Sequence, residues 1–375
     1  MRRIGIDARK LADGGIGRYL VELLRRLPAL APDTRFVALV APDGERTLAQ
    51  ADIAAPNLAL SAVRAPGYSL AEHLEIGRAA RAERLDLLHV PHYVLPASVR
   101  CPVVVTVHDL IHWRLPKSVL HATYARLLLA LVRRRARVVV TPSQVVADDL
   151  VRLARIPVER IRVIPNGVDA APFAAADDPA DPDAGAHDPL RGRGLAPPYA
   201  LNVTNGLAHK GLDLLLEAWR EIDGLQLVLA GRGSDRAAVR AALARAGLRA
   251  GAVLVLGELT ERELRAAYRG AAVVVVASRL EGFGLPALEA MAAGVPVVAA
   301  RAGALPEVVA DAGVLFPVDS VACLRRALYR FMPGSDLVGR EELIRRGLAR
   351  AREYTWDRTA QETYAAYERA LRSHT

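Results

Sequence analysis

The sequence predicts an α/β protein of two domains, each built on a parallel β-sheet. Short valine-rich runs alternate along the chain with helices that carry one apolar stripe, and this alternation is typical of βαβ units. The chain has 375 residues, of which 52% are hydrophobic, so it is long enough for two separate cores. Between residues 169 and 198 the sequence consists mostly of alanine, aspartate, proline and glycine, which is the composition of a linker.

The first domain is predicted to cover residues 1–168. Its first strand is Arg3 to Ala8, and a helix from about Arg18 carries its leucines on one stripe, as a helix packed on a sheet does. Valine-rich runs at residues 103–107 and 138–140 are further strands, buried on both faces. This order of elements is typical of a Rossmann-like half.

The second domain is predicted to cover residues 199–355. Thr260 and Glu263 form a capping box that starts one of its helices. A last helix begins near Trp356, beyond the second sheet, and belongs to a tail of residues 356–375. The strands of this domain are predicted from short apolar runs at residues 199–204, 225–230, 253–256 and 273–277.

A glycine-rich turn between two glutamates is the most informative stretch of the chain. Glu281 follows the apolar run 272–278, which places it at the carboxyl end of a predicted strand. Pro286 fits the first turn of the following helix, which contains Glu289. Two glutamates at these positions are either solvated side chains of an ordinary capped helix or groups that bind a ligand.

The start of this helix is a predicted phosphate site. Unpaired N–H groups of Gly284, Leu285 and Ala287, with the positive end of the helix dipole, attract an anion. Glu281 and Glu289 repel phosphate, so we expect their partners to be sugar hydroxyls. The sequence therefore indicates a ligand that carries both phosphate and hydroxyl groups.

The run EGFGLPALE resembles the glutamate-x7-glutamate signature of the family-4 retaining glycosyltransferases, which use nucleotide-diphospho-sugars. These enzymes have the GT-B fold, in which two Rossmann-like domains with parallel sheets face a central cleft. Other segments are similar to that family in order and spacing, and the likeness covers roughly three-quarters of the chain. They are Gly5 to Arg9, Gly14 to Tyr19, Thr106 to Leu110, Val163 to Asp169, Lys210 with Gly211, and Val253 to Asp319.

The resemblance implies a role for each residue of the predicted donor site. Glu281 holds the donor sugar, Glu289 holds the ribose, and Lys210 with the amides of Gly284 and Leu285 stabilises the leaving diphosphate. The leaving diphosphate itself takes the proton of the acceptor hydroxyl. In the family, the C-terminal helix of the chain packs back on the first domain.

The chain departs from the family pattern near Lys210. Many relatives carry an arginine five residues before the lysine or immediately before it, where this chain has Asn205 and His209. Diphosphate stabilisation is then expected to depend more on Lys210 and the Gly284 amide. Arg232 follows a predicted strand and either contributes to this stabilisation or caps a turn.

Two further segments of the second domain are predicted to contact the donor. In the family, the region around Leu259 meets the nucleobase through backbone atoms, so its side chains do not identify the base. Phe283 lies inside the glycine turn between the two glutamates and is counted with the donor-binding residues.

The first domain contributes two predicted site positions. Gly15 lies in a glycine loop between the first strand and the first helix, where backbone approaches a ligand closely. A nicotinamide-dependent dehydrogenase uses the same geometry and requires an acidic residue at the end of its second strand, where this chain has Ala41 and Pro42, with Asp43 following in a turn. A dehydrogenase leaves the two glutamates of the second domain without a role, which favours the other interpretation. His108 follows the strand 103–107 and is either a core histidine or a catalytic group; in the family, the matching histidine lies beside the donor sugar.

Charge and composition limit the partners. The net charge of +9 and pI near 9.9 permit nucleic-acid binding, but only 5% of residues are aromatic and no basic stretch is interleaved with them. We therefore expect no nucleic acid. An anionic nucleotide substrate together with an acidic membrane surface explains the positive charge. A genome composition that favours arginine and alanine explains it equally well.

The expected location is the cytoplasm, with contact to the inner face of the membrane. Cys101 and Cys323 lie far apart in the sequence, which suits a reducing cytoplasm and argues against a disulfide framework. The apolar stretch at the start of the sequence is too short for a signal peptide. Residues 119–132 are apolar and run into Arg133, Arg134 and Arg135, an arrangement suited to anionic lipid. The same leucines are alternatively needed to cover the first sheet.

The segments Gly5 to Arg9 and Gly15 to Tyr19 most resemble bacterial mannosyl- and rhamnosyl-transferases of polysaccharide assembly, so GDP-mannose is the first choice of donor. The reaction that the resemblance implies is transfer of a hexose from this nucleotide-diphosphate-sugar to a hydroxyl of a glycan or lipid-linked acceptor. A sugar-nucleotide epimerase or a non-catalytic nucleotide-sugar-binding protein are the alternatives. No metal or other cofactor is expected. Asp181 and Asp183 superficially resemble a metal-binding DxD motif, but they lie in the linker with no strand before them.

Overall fold

A computed structural model describes residues 1–65, 69–116, 118–169, 189–190, 192–332, 334–335 and 337–372. The chain divides into two compact units. Unit 1 is Met1–Gly167 together with Trp356–Thr375, and unit 2 is Val168–Thr355. Most of the predicted linker, including Asp181 and Asp183, lies outside the described residues.

The sheet of unit 1 has seven described strands, all paired in parallel, in the order β3-β2-β1-β4-β5-β6-β7. Helices cover both faces of such a sheet, which is why its central strands are rich in buried valine, isoleucine and leucine. The strands are β1 Arg2–Asp7, β2 Thr34–Val40, β3 Leu58–Ala62, β4 Leu87–Val90, β5 Val103–Thr106, β6 Ala136–Thr141 and β7 Ile161–Val163.

The helices of the N-terminal segment alternate with these strands. Ser69 and Ser143 cap two of them, because their hydroxyls accept hydrogen bonds from the backbone N–H groups of Glu72 and Val146. The helices are α1 Gly14–Leu30, α2 Gly44–Gln50, α3 Leu70–Ala82, α4 Ile111–Arg114, α5 Val119–Arg135 and α6 Gln144–Arg152.

The sheet of unit 2 has six described strands, again all parallel, in the order β10-β9-β8-β11-β12-β13. The predicted fold class, α/β with two parallel sheets, is thus confirmed. Each predicted strand of this unit agrees with the observed one within one residue at either end. The strands are β8 Tyr199–Val203, β9 Gln226–Ala230, β10 Val253–Gly257, β11 Val273–Val276, β12 Val297–Ala300 and β13 Val314–Phe316.

Helices pack on both faces of the second sheet and enclose one apolar cluster on each face. The capping box of Thr260 and Glu263 is confirmed. These helices are α7 Leu212–Trp219, α8 Ala237–Arg245, α9 Glu261–Gly270, α10 Leu285–Ala292, α11 Leu305–Val309, α12 Val321–Leu328 and α13 Leu337–Arg352.

The last helix, α14 (Trp356–Arg372), belongs to unit 1. Trp356 and Tyr367 are fully buried there, and the hydroxyl of Thr359 donates to the carbonyl of Pro165 at 2.7 Å. None of the described helices is both long enough and apolar enough to cross a membrane.

The order of the strands marks one place in each unit where a ligand is expected to bind. The chain passes from one side of the sheet to the other between β1 and β4 in unit 1, and between β8 and β11 in unit 2. In open α/β sheets, ligands bind beyond the carboxyl ends of the strands at such a switch point.

Candidate functional site

Lys210 and Glu281 meet at the switch point of unit 2. Lys210 ends a short 3₁₀ turn after β8, and Glu281 follows β11. Lys210 Nζ lies 2.7 Å from Glu281 Oε1. The two loops are held together by the backbone, because the Arg279 N–H donates to the His209 carbonyl at 2.7 Å.

Gly211 allows this close approach. Its φ is +69°, and a Cβ at this position would lie 2.1 Å from the Ala277 carbonyl oxygen. Since no other residue tolerates both the backbone angle and the contact, the glycine after Lys210 is a steric requirement. It keeps the lysine against the end of β11.

Glu281 is ionised although it is only 9% exposed. Burial alone would raise the pKa of its carboxyl. The charge of Lys210 and hydrogen bonds from Lys210 and Ser278 outweigh burial and lower the pKa below its ordinary value. The Ser278 hydroxyl donates to Oε1 at 2.7 Å. The site is therefore an ammonium–carboxylate pair with little access to water.

The glycine turn between the glutamates leads directly into α10. Gly284 has φ +107° and precedes the first helical residue, and Pro286 occupies the first turn as predicted. The Ala287 N–H is not free, because it donates to the Gly284 carbonyl at 3.0 Å. The prediction of three free amides is wrong in this respect. Within the described part of the chain, no hydrogen bond uses the N–H groups of Gly284 and Leu285, so two of the three predicted anion-binding amides are not committed to the backbone.

Glu289 lies inside the same helix and is 5% exposed. The Tyr268 hydroxyl donates to its Oε2 at 2.7 Å. Phe283 has its ring in the core, edge-on to Tyr354 at 5.8 Å, so only its backbone is available to a ligand. Leu259 packs against the same core.

The structure places the two remaining predicted residues of unit 2 in turns. Asn205 follows β8, and its Oδ1 accepts the Leu207 N–H at 3.2 Å. Its side chain therefore shapes the approach to Lys210. Arg232 follows β9 and is exposed.

His108 lies two residues after β5 in unit 1. It hydrogen-bonds the backbone of Pro91, which has only a carbonyl to offer, and its Nε2 is buried with no hydrogen-bond partner in the described residues. Burial lowers the pKa of His108 to about 4. The ring is therefore neutral at pH 7, with Nδ1 protonated, and Nε2 can accept a hydrogen bond from a hydroxyl. Gly15 is exposed in the first turn of α1.

A buried ionic cluster of unit 1 had no predicted role. Asp7, at the end of β1, is inaccessible to solvent, and Arg9 donates to both of its oxygens at 2.8 Å. Arg9 also reaches Glu72 at 2.6 Å. Burial opposes ionisation of Asp7, but hydrogen bonds from His92 and Arg9 hold its pKa well below the usual range. The aspartate that ends an apolar strand, with an arginine two residues later, was the available signal.

A second buried cluster of unit 1 has no signal in the sequence. His89 lies in the apolar strand β4, and its Nε2 contacts the Thr106 hydroxyl at 2.8 Å. Its Nδ1 contacts the Tyr367 hydroxyl at 2.7 Å, and Tyr19 contacts Thr106 at 3.1 Å. Burial lowers the pKa of His89 to about 3 and raises that of Tyr19 to about 12. These groups are neutral and link α1, β4, β5 and α14.

Comparison with protein families assigns each unit. A model described as Glycosyltransferase Family 4 matches residues 13–171, and one described as Glycosyl transferases group 1 matches residues 198–332. Together the two matches cover most of the chain.

Two curated relatives are similar over part of the chain. A D-inositol 3-phosphate glycosyltransferase of Xylanimonas cellulosilytica is 40% identical over 154 residues, which is 39% of this chain and 36% of the relative. The O-antigen chain mannosyltransferase RfbU of Salmonella typhimurium is 27% identical over 192 residues, which is 50% of this chain and 49% of the relative. The aligned part thus spans half or less of either relative.

Solved structures share the fold over the whole chain. Sucrose-phosphate synthase from Thermosynechococcus elongatus has a TM-score of 0.80 at 20% identity and covers 100% of both chains. Anabaena HepE, solved in complex with UDP and glucose, has a TM-score of 0.77 at 20% identity and covers 98% of this chain and 99% of its own. At this identity the likeness concerns the fold alone.

Proposed function

Since this chain belongs to the family-4 glycosyltransferases and has the GT-B fold, we propose that it transfers a hexose from a nucleotide-diphosphate-sugar to an acceptor hydroxyl with retention of configuration. The observation that carries this proposal is the Lys210–Glu281 pair beside the unused amides of Gly284 and Leu285. It combines groups that bind diphosphate with a carboxylate suited to sugar hydroxyls.

The ammonium of Lys210 serves both ligand and protein. A lysine has three N–H donors, and the bond to Glu281 uses one of them. The other donors, with the two amides and the positive end of α10, stabilise the charge that develops on the leaving diphosphate. Glu281 keeps a second oxygen, Oε2, for a hydroxyl of the donor sugar, and Glu289 receives the ribose.

The proposed reaction balances without an enzymatic base. The acceptor oxygen bonds to the anomeric carbon while the bond from that carbon to the diphosphate breaks on the same face. The proton of the acceptor passes to the leaving phosphate oxygen. Neutral His108 accepts a hydrogen bond from a sugar hydroxyl through Nε2 and so orients the sugar.

We propose mannose from GDP-mannose as the donor. The similarity to RfbU, which is named as a mannosyltransferase, favours this donor. The complex of Anabaena HepE with UDP and glucose makes the uridine donors the first competitors in a test.

A direct assay tests this function. Thermal shift with GDP-mannose, UDP-glucose and other nucleotide-sugars identifies the donor, and release of nucleoside diphosphate with glycan or lipid-linked acceptors measures transfer. We expect stabilisation by one donor class and an α-linked product from an α-linked donor by NMR. A product of inverted configuration would refute retention. Conversion of the free nucleotide-sugar would indicate an epimerase, and binding without turnover would indicate a sensor.

We further propose that no metal is needed, because Lys210 and the α10 amides supply the positive charge at the diphosphate. In the described residues, no group of three histidine, cysteine or acidic side chains has the arrangement of a metal site. We expect turnover to survive EDTA. Loss of turnover that manganese or magnesium restores would contradict this and would direct attention to Asp181 and Asp183.

We also propose that α5 contacts anionic membrane beside a lipid-linked acceptor. Leu128, Leu129 and Val132 are buried, and Leu129 and Val132 belong to the apolar core of unit 1, so part of the helix is ordinary core. However, Leu120 is 80% and Leu127 65% exposed, seven residues apart and thus on one face. Apolar surface of this kind on a helix that ends in arginines suits a lipid interface.

Co-sedimentation with phosphatidylglycerol vesicles tests the contact. Replacing Leu120 and Leu127 by glutamine is expected to abolish binding at low salt. Leu74→Gln is the control, because Leu74 is 54% exposed on a different helix, α3. Equal binding of the wild type and the double variant would assign the exposed leucines no membrane role.

A further inference from the structure

Unit 1 has a basic surface pocket that the proposed transfer reaction does not use. Its volume is about 480 Å³, within the range of small-molecule sites and larger than a single ion requires. Five guanidinium groups and one carboxylate line it. They belong to Arg134 and Arg135 at the end of α5, Arg137 in β6, Glu159 and Arg160 in the turn before β7, and Arg369 in the last turn of α14.

The pocket lies at the opposite edge of the sheet from His108. It surrounds the amino ends of β6 and β7, whereas His108 follows the carboxyl end of β5. The strands are parallel, and six residues of β6 at about 3.3 Å each separate the two edges by about 20 Å. The pocket is therefore separate from the predicted acceptor site of this unit.

Hydrogen bonds to backbone hold several of these arginines in place. Arg160 donates to the Arg133 carbonyl at 3.1 Å, Arg135 to the Ala97 carbonyl at 3.3 Å, and Arg369 to the Glu159 carbonyl at 3.2 Å. These carbonyls orient the guanidinium groups without cancelling their charge. Among the described residues, no ion pair neutralises Arg134, Arg135 or Arg160.

The excess of positive charge at this edge affects a neighbouring residue. Burial, and after it the charge of Arg369, lowers the pKa of Arg162, the next arginine along β7. Basic residues at helix ends are ordinarily explained by the helix dipole, and this accounts for Arg134, Arg135 and Arg369. It does not account for Arg137 and Arg160, which lie in a strand and a turn yet line the same pocket.

We propose that this pocket is a second, non-catalytic site that binds a phosphate-bearing molecule. Guanidinium groups bind phosphate through paired hydrogen bonds, and several arginines around one concave surface match a group with two or more negative charges. The phosphate belongs either to a lipid headgroup or to a soluble organic phosphate, and both offer the same chemistry. The proposal does not depend on glycosyl transfer, since nothing in the pocket takes part in it.

The test compares two double variants of equal charge change. Arg134→Gln with Arg160→Gln alters the pocket, and Arg35→Gln with Arg46→Gln is the control, because both control residues are exposed in unit 1, on β2 and α2. The probes are inorganic pyrophosphate, by calorimetry, and phosphatidylcholine vesicles with and without phosphatidylglycerol. Circular dichroism verifies that each variant is folded.

We expect the pocket variant to bind pyrophosphate at least about tenfold more weakly than the control, since two charge-assisted contacts are lost. This component of binding persists in Lys210→Ala, which separates it from the donor site. Loss of vesicle binding in the pocket variant, and competition by pyrophosphate, would identify a headgroup; pyrophosphate binding alone would identify a soluble phosphate. Absence of binding to the wild type, or equal weakening in the two double variants, would overturn the proposal.

Discussion

Unit 1 and unit 2 both collect polar side chains where their central strands end, but they keep them buried by different means. In unit 1, Asp7 is paired with Arg9, and His89 is held neutral by burial. In unit 2, Lys210 and Glu281 are both charged and neutralise each other. Unit 1 thus meets the cost of desolvation with a buried ion pair and with neutral rings, whereas unit 2 meets it with a matched pair of ions.

The difference separates a scaffold from a candidate reactive site. The polar groups at the strand ends of unit 1 bond mainly to one another, whereas His108 Nε2 is buried without a hydrogen-bond partner in the described residues. Unit 2 keeps two amides and part of an ammonium available beside Glu281. Mutations should therefore affect mainly stability in unit 1 and mainly turnover in unit 2.

Asp7→Asn is expected to have the largest effect. It leaves Arg9 buried with only Glu72 for charge compensation, and breaking a buried ion pair costs about 3–5 kcal/mol. The free energy of unfolding by urea measures the loss, and hydrogen exchange assigns it to unit 1. Asp13→Asn is the control, because Asp13 pairs with Lys10 and is 52% exposed, so its loss is expected to cost below about 1 kcal/mol. An equal loss of unfolding free energy in the two variants would show that the Asp7–Arg9 pair stabilises unit 1 no more than a surface ion pair does.

Lys210→Ala and Glu281→Ala are each expected to lower turnover at least about a hundredfold, or about 2.7 kcal/mol in the activation barrier. In the proposed mechanism, the two variants lose the charge stabilisation at the diphosphate and the contact to the donor sugar, respectively. Steady-state rates at saturating donor measure the effect, and melting temperatures exclude unfolding. Arg265→Ala and Glu261→Ala, in a partly exposed pair on α9, serve as controls. Wild-type turnover in Glu281→Ala would exclude the pair from the mechanism.

Acid is expected to destabilise unit 1 before unit 2. The folded-state pKa values of His89 and His108, about 3 and about 4, lie below the ordinary 6.5. Below pH 6.5 the unfolded chain therefore binds more protons, and the stability that is present above pH 6.5 is lost as the pH falls towards 4. Each histidine contributes up to about 1.4 kcal/mol per pH unit. Glu281, with its lowered pKa, contributes stability above about pH 4.5 that is lost only at lower pH.

Hydrogen exchange at pH 7, 6 and 5, corrected for intrinsic rates, measures this difference in the strands of each unit. We expect protection to decline first in β4 and β5, while β8 and β11 keep theirs. His108→Asn is expected to reduce the pH dependence of unit 1. Parallel decline in both units would show that the buried histidines do not determine acid sensitivity.

Glu289→Gln is expected to have the smallest effect. The side chain keeps its shape and its bond from Tyr268, but loses the charge that we propose binds the ribose hydroxyls. A loss of about 1 kcal/mol corresponds to about a fivefold rise in the donor KM with kcat unchanged. Glu258→Gln, at an exposed position, is the control. A fall in kcat at constant KM would move Glu289 from donor binding to catalysis.

The sequence by itself determined the local elements. The run 273–276 is a strand because four consecutive valines suit a sheet buried on both faces, and Thr260 starts a helix because its side chain caps it. The glycine turn before α10 follows from Gly284 and Pro286 for equally local reasons. Such features depend on residues within a few positions of one another, so the order of residue types is sufficient to predict them.

Only the tertiary structure decided which side chains meet. Lys210 and Glu281 are 71 residues apart, and His89 and Tyr367 are 278 apart. Their contacts depend on the order of the strands and on the position of α14, which no local pattern encodes. The same holds for the Ala287 N–H, which donates to the Gly284 carbonyl. The geometry of the turn decides this bond, and the presence of a proline does not. Packing between residues that are distant in the sequence determines which side chains contact each other. These contacts determine the charge states, because the pKa of a buried group depends on the charges and hydrogen bonds of its neighbours.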